Sequence, residues 1–193
     1  MSTETHPLEP FLPSHATLLF LGSFPPPKAR WSMDFFYPNY INDFWRIMGL
    51  LFADDKRHFE AEEGKRFHQE RIVDFAERKG FAFYDTACEV RRLKDNASDK
   101  FLEIVRPTDI CSLTNRLPQL KAIVTTGEKA TDILCSQLSI DVPPAVGHST
   151  PAPALGIELY RLPSSSRAYP LALEKKALAY RDMFVRYGID MHL

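Results

Sequence analysis

Apolar and polar positions fall into short blocks along the chain, and the blocks predict the elements. Leu18–Gly22 is a short, uncharged apolar run closed by glycine, the pattern of a strand buried on both faces. Pro25, Pro26 and Pro27 then hold the backbone out of a helix, so the strand exits into a fixed loop. Trp31, Phe35, Phe36, Tyr37 and Tyr40 form an aromatic cluster, after which Ile41, Phe44, Trp45 and Met48 recur at helical spacing. That spacing predicts a helix from about Ile41 to about Phe52. A rigid aromatic loop between a buried strand and a helix is a common way to build a small-molecule pocket in an open α/β sheet.

Further on, a helix is predicted over about residues 65–78, with Phe67, Ile72 and Phe75 inward and Gly80 at the cap position. Phe81–Asp85 reads as a second strand ending in an acidic residue. Residues 86–108 carry a basic patch (Arg91, Arg92, Lys94) and then a polar irregular stretch over 95–99. A short helix near 109–117 leads to a third strand, Ala122–Thr126, and Gly127 opens a helix over about 128–138. The proline-rich span 142–153 reads as loop, Ile157–Leu162 as a fourth strand, residues 163–169 as a second prominent loop, and about 171–187 as the last helix. Residues 1–17, polar and proline-spaced, are expected to form an arm lying over one domain that spans 18–193. Strands alternating with helices predict a three-layer α/β sandwich around a mostly parallel four-stranded sheet.

Composition changes this picture little. A chain of 193 residues with 45% hydrophobic content suits one core. A formal charge of −1 argues against a protein that coats nucleic acid by bulk charge, though not against a local basic groove. No apolar run approaches the ~20 residues of a membrane helix, and the first residues show no export signal. Cys88, Cys111 and Cys135 match neither a disulfide framework nor a metal spacing. The expectation is a cytoplasmic monomer without membrane, metal or cofactor.

Several chemistries lack their signatures. No GxGxxG follows the first strand, the segment from Thr126 to Ala130 lacks the glycine and Lys-Ser/Thr pair of a phosphate loop, and Ser164, Ser165 and Ser166 are not set in GxSxG. A hydrolase needing neither metal nor covalent nucleophile remains. In that setting Gly22-Ser23-Phe24-Pro25 at a strand end, then Phe36-Tyr37, then Asn42-x-Phe44-Trp45-x-Ile47-x-Gly49, resembles the uracil-DNA glycosylase superfamily. The nearest likeness is to its hypoxanthine-DNA glycosylase-like and mismatch-specific branches. Residues 80–85 resemble that family's second strand, 122–130 its third strand and following helix, and 162–169 the loop that enters DNA. The match spans roughly residues 18–187.

The resemblance implies excision of a deaminated base after it is flipped out of the stack. Breaking an N-glycosidic bond passes through an oxocarbenium-like sugar and a base leaving with negative charge. An amide that positions water, with donors aimed at the base, suffices without a metal. Asn42 is the family-matched catalytic candidate; capping the following helix is its other reading, and one residue serves both. Gly22, Ser23, Phe24, Phe36, Tyr37, Thr126 and Gly127 are the candidates for base binding, the aromatics by stacking. Phe24 stands where many relatives carry a catalytic asparagine, so the first loop lacks its usual amide. Asp34 and Asp43 are fallback groups for activating water. Ser164, Ser165, Ser166 and Arg167 are candidates for gripping DNA phosphates, with Lys28, Arg30, Arg91 and Arg92 adding local charge, and His148 is a loop histidine near the pocket or at the surface. The expectation is a DNA glycosylase for uracil or hypoxanthine. Its rivals are a non-catalytic damaged-DNA-binding module of the same fold and a hydrolase of free nucleosides.

Overall fold

The structure is a computed structural model, and it describes residues 3–93 and 101–193. Lys94 and the polar stretch 95–99 lie outside the described residues. β1 (Thr3–Thr5) precedes β2 (Leu18–Gly22), which is buried along its whole length. Its alternate residues serve opposite faces: Leu18 and Phe20 enter one core, Leu19 and Leu21 the other. This is the arrangement expected of a central parallel strand, where both faces are covered and no polar alternation survives.

β2 pairs in parallel with β3 (Phe81–Asp85) on one side and β6 (Ala122–Thr126) on the other, and β6 pairs in parallel with β8 (Ile157–Leu162). A fifth strand, β7 (His148–Ala152), closes the edge antiparallel to β8, giving the order β3-β2-β6-β8-β7. The sheet therefore has five strands and is mixed, not four. β7 lies in the proline-rich span expected to be loop. At an edge it buries only Ala152 and tolerates Pro151, so it shows neither apolar alternation nor an unbroken run.

Helices cover both faces. α1 (Phe44–Ala53), α2 (Gln69–Lys79) and α5 (Leu173–Arg186) pack on the face of Phe20, while α3 (Ile110–Thr114) and α4 (Glu128–Gln137) pack on the face of Leu19. α1 starts three residues later than its apolar spacing suggests. Asn42 Oδ1 accepts the Phe44 N–H at 2.9 Å, and the Asp43 N–H donates to Ser165 O at 2.9 Å, so both residues are committed outside the helix. α2 likewise starts later than expected, at Gln69, where the side chain of His68 accepts from Arg71 N–H; Phe67 is buried in the preceding turn. Gly80 ends it with a φ of 64°, donating back to Ala76 O and Glu77 O.

A second, three-stranded antiparallel sheet holds β1, β4 (Ala87–Arg92) and β5 (Leu102–Pro107) in the order β1-β4-β5. The span 86–108, in which the sequence pattern predicts no strand, thus holds a strand pair. Register shifts around Glu89 break the two-residue period in β4, which hides it from pattern reading. The segment before residue 17 is tied to the body: Glu4 pairs with Arg92, Phe11 bridges Phe83, and the His6 N–H donates to Cys88 O at 2.8 Å.

Candidate functional site

The parallel register aligns the carboxyl ends of the central strands. Gly22 stands opposite Asp85, and Thr126 opposite Leu162. The chain leaves β2 toward β3 but leaves β6 toward β8, so a crevice opens between β2 and β6 where the winding reverses, the usual ligand position in an open α/β sheet. A cavity of about 590 Å³ lies there.

The loop after β2 forms its first wall. Arg92 donates to Pro25 O at 2.6 Å and the Trp31 indole to Pro26 O at 2.7 Å, so both flanks of the proline run are pinned before a 3₁₀ turn at Lys28–Arg30. Gly22 has a steric reason to be glycine. A Cβ there would lie 2.5 Å from Asp85 Oδ1, so the missing side chain makes room for that carboxylate.

Aromatic rings form the second wall. Phe36 stacks on Phe83 with centroids 5.9 Å apart, and Phe83 stacks on Phe20 at 5.3 Å, which roots the wall in the core. Tyr37 stacks face to face on Phe44 at 3.8 Å and shares a 2.8 Å hydrogen bond between its hydroxyl and Thr126 Oγ1. Burial, with the neighbouring Tyr180 second, pushes its phenol pKa well above the usual tyrosine value, so the group stays protonated. Its φ of 53° is left-handed, a conformation that costs a non-glycine residue on the order of 1 kcal/mol. Phe24 meets the His6 ring edge-on at 5.3 Å, under the Arg92 guanidinium.

The third wall joins Asn42 to the serine loop. Asn42 and Ser166 form an antiparallel bridge, reinforced by the Asp43-to-Ser165 backbone bond. Asn42 lines the cavity one residue before Asp43, the N-cap of α1, and its Oδ1 accepts the Phe44 N–H, which leaves Nδ2 as the donor of that side chain. In the loop, Ser164 Oγ accepts from Ser166 N–H and Ser166 Oγ from Ala168 N–H, so both hydroxyl protons stay available to a ligand. The buried Asp43 carboxylate receives Arg167 Nε at 2.8 Å and stands 3.6 Å from Lys176 Nζ. Lys176 is itself buried and donates to Ser166 O at 2.8 Å; burial lowers its pKa, against the pull of Asp43.

The cavity brings together Gly22, Ser23, Phe24, Phe36, Tyr37, Asn42, Thr126, Ser164, Ser165, Ser166 and Arg167. Gly127 stands apart from it: at φ 103° it caps α4, and a Cβ there would meet the Ser164 side chain at 3.6 Å. Asp43 is an anchor for cations, and Asp34 pairs with Lys28 at the surface. Arg91 pairs with Glu103, Arg92 with Glu4, and His148 lies exposed on β7, whereas Arg30 lines the cavity. Pattern reading missed the role of Asp85 in the wall and the His6 ring bonded to it at 2.9 Å. The one signal was a charged residue ending an otherwise apolar buried strand. Among the described residues no group of three His, Cys, Asp or Glu side chains could hold a metal ion, and no helix is long and apolar enough to cross a membrane.

The fold has a recognisable counterpart. The solution structure of a "putative uracil DNA glycosylase" from Methanosarcina acetivorans superposes with a TM-score of 0.62 at 20% identity, covering 91% of this chain and 96% of that one. At that identity the likeness is one of fold. No family model and no curated protein matches the sequence.

Proposed function

We propose that this protein is a DNA glycosylase that removes a deaminated base, uracil or hypoxanthine, by hydrolysing its N-glycosidic bond after the nucleotide is flipped out of the duplex. The observation that carries this reading is the bridge between Asn42 and Ser166, which holds an amide donor and a serine loop at one cavity mouth, beneath a wall of aromatic rings. The extruded base stacks among Phe24, Phe36 and Tyr37. Asn42 Nδ2 orients the attacking water, while the hydroxyls and backbone of Ser164–Ser166 and the Arg167 guanidinium contact the phosphates beside the gap. The protein acts as a cytoplasmic monomer on DNA and needs no cofactor.

One observation favours a second reading, a module that binds damaged DNA without cutting. The side-chain carbonyl of Asn42 is spent on the Phe44 N–H and Phe24 supplies no polar group, so a single amide nitrogen carries the reaction. Oligonucleotides carrying uracil or hypoxanthine, single-stranded and duplex, followed by alkaline cleavage at abasic sites, separate the two. The expected result is strand cleavage that Asn42→Ala removes while DNA affinity persists. Intact substrates with retained DNA binding would establish the module instead.

A further inference from the structure

Arg46 stands where helix energetics would not put it. It is the third residue of α1, in the turn where the helix dipole favours acids over cations, and its side chain is only 7% exposed. A guanidinium buried there carries a desolvation penalty that an apolar side chain in the same place would avoid. Its Nε pairs with Glu60 Oε1 at 2.7 Å, and its central carbon lies 4.5 Å from the Tyr40 ring centre and 5.3 Å from that of Phe67. Glu60 in turn accepts the Tyr40 hydroxyl at 3.0 Å and forms a backbone bridge with Phe67.

The other side of the fork grips the backbone around Asn42. Nη1 carries two protons, and it donates to Tyr40 O at 2.6 Å and to Asn42 O at 3.1 Å, the carbonyls that bracket the Ile41–Asn42 pair. The Asn42 N–H donates to Asn39 O at 2.8 Å. With Oδ1 committed to the Phe44 N–H, the direction of Nδ2 follows from the backbone on which the amide stands. Among the described residues, the cavity lining includes Asn42 but neither Arg46 nor Glu60.

Resting on the glycosylase reading above, in which Asn42 Nδ2 orients the attacking water, we propose that Arg46 is a positioning residue for Asn42. Glu60, from the segment between α1 and α2, holds Arg46 in that role. The planar fork fixes two carbonyls at once, which a compact ammonium on a flexible stem does not. A catalytic group tolerates little displacement, so loosening this backbone lowers the excision rate by up to about 100-fold while the surface that meets DNA is unchanged.

The test is single-turnover excision by the full chain at saturating protein, with DNA affinity measured on the same variants. Arg46→Lys keeps the charge and removes the fork; it should lose at least about tenfold in rate while binding DNA within about twofold of wild type. In an Asn42→Ala background the same substitution should change nothing further, because its effect passes through that side chain. A wild-type rate in Arg46→Lys, or a loss that adds in full to that of Asn42→Ala, would overturn the proposal. Arg46→Met combined with Glu60→Gln removes both charges and keeps an acceptor for Tyr40, so it should fold even if the lysine variant does not. Its rate must fall likewise, and wild-type excision by that folded pair would also overturn the proposal. Hydrogen exchange supplies a readout independent of catalysis: the Phe44 N–H, held by Asn42 Oδ1, should exchange at least about tenfold faster in these variants at an unchanged melting temperature. Unchanged protection there would sink the tie between Arg46 and Asn42. Faster exchange in the variants of a wild type that excises nothing would keep the tie and count against the glycosylase reading alone.

Discussion

Asp43 Oδ1 accepts a hydrogen bond from Arg167 Nε at 2.8 Å across 124 residues of sequence. The same carboxylate has Lys176 Nζ 3.6 Å from Oδ2 and Arg46 4.0 Å from Oδ1, and its side chain is only 10% exposed. One acid thereby ties the residue next to Asn42 to the serine loop and to α5. The loop is held at the cavity rim by charge as well as by its backbone bridge.

Removing that acid strands a buried cation. Lys176 keeps its bond to Ser166 O but loses its counter-charge, and loss of one partner of a buried ion pair costs about 3 kcal/mol. Asp43→Ala is therefore expected to lower Tm by roughly 9 °C and to weaken DNA binding through a loosened loop. Arg167→Ala removes the half-exposed partner and should cost no more than about 1 kcal/mol. Thermal unfolding of the two variants side by side checks the asymmetry, and equal losses would show that Asp43 is not the hub.

Gly22→Ala sets a methyl 2.5 Å from Asp85 Oδ1, and His6 leaves that carboxylate little freedom to retreat. Overpacking of this kind costs about 1–3 kcal/mol. In an Asp85→Ala background the clash is gone, so the same substitution should be nearly neutral, a coupling of at least ~1 kcal/mol in a double-mutant cycle. Denaturant unfolding of the four proteins measures it; additive effects would place the strain elsewhere.

Sequence pattern resolves this protein where burial is two-sided and fails where it is one-sided. β2, β3 and β6 show as largely apolar runs because helices cover both faces, while β8 shows as apolar residues broken by Glu158 and Arg161. β1 reads Thr-Glu-Thr and is held by backbone pairing and one ion pair, so nothing apolar announces it. β4 loses its alternation to a bulge, and β7 has a proline at an edge. The site follows the same logic. Asn42 and the serine loop stand out as polar residues at the ends of apolar elements, and so did the acid ending β3. His6 carries no local signal, since its meaning comes from a contact with a residue 79 positions away.

Asn42→Asp separates the two duties of the asparagine. The carboxylate can still accept the Phe44 N–H, so stability should change by less than about 0.5 kcal/mol, whereas Asn42→Ala loses that hydrogen bond at about 1 kcal/mol. Both variants lack the amide N–H group, and both should lose about 100-fold or more in excision rate, the usual toll of removing one oriented donor. Single-turnover rates beside melting curves decide it. Full activity in Asn42→Asp would shift water activation from amide donation to a carboxylate.

The buried phenols fix the alkaline limit of the fold. Burial raises the pKa of Tyr37 and Tyr180 well above the ordinary value near 10, and pushes that of Tyr84 up to about 12. Above pH 10 the unfolded chain releases these protons while the folded chain keeps them, so the native state binds more protons and stability falls as pH rises. The unfolding free energy should thus show no tyrosine-linked loss below about pH 10 and decline from there to about pH 12. Tyr37→Phe removes one such group. It should cost about 1 kcal/mol at neutral pH, where the bond to Thr126 Oγ1 is lost, yet flatten the alkaline decline by up to about 1.4 kcal/mol per pH unit. Denaturant unfolding across this range tests both signs at once. A variant whose profile runs parallel to wild type would mean that Tyr37 ionises as freely in the folded protein as in the unfolded chain.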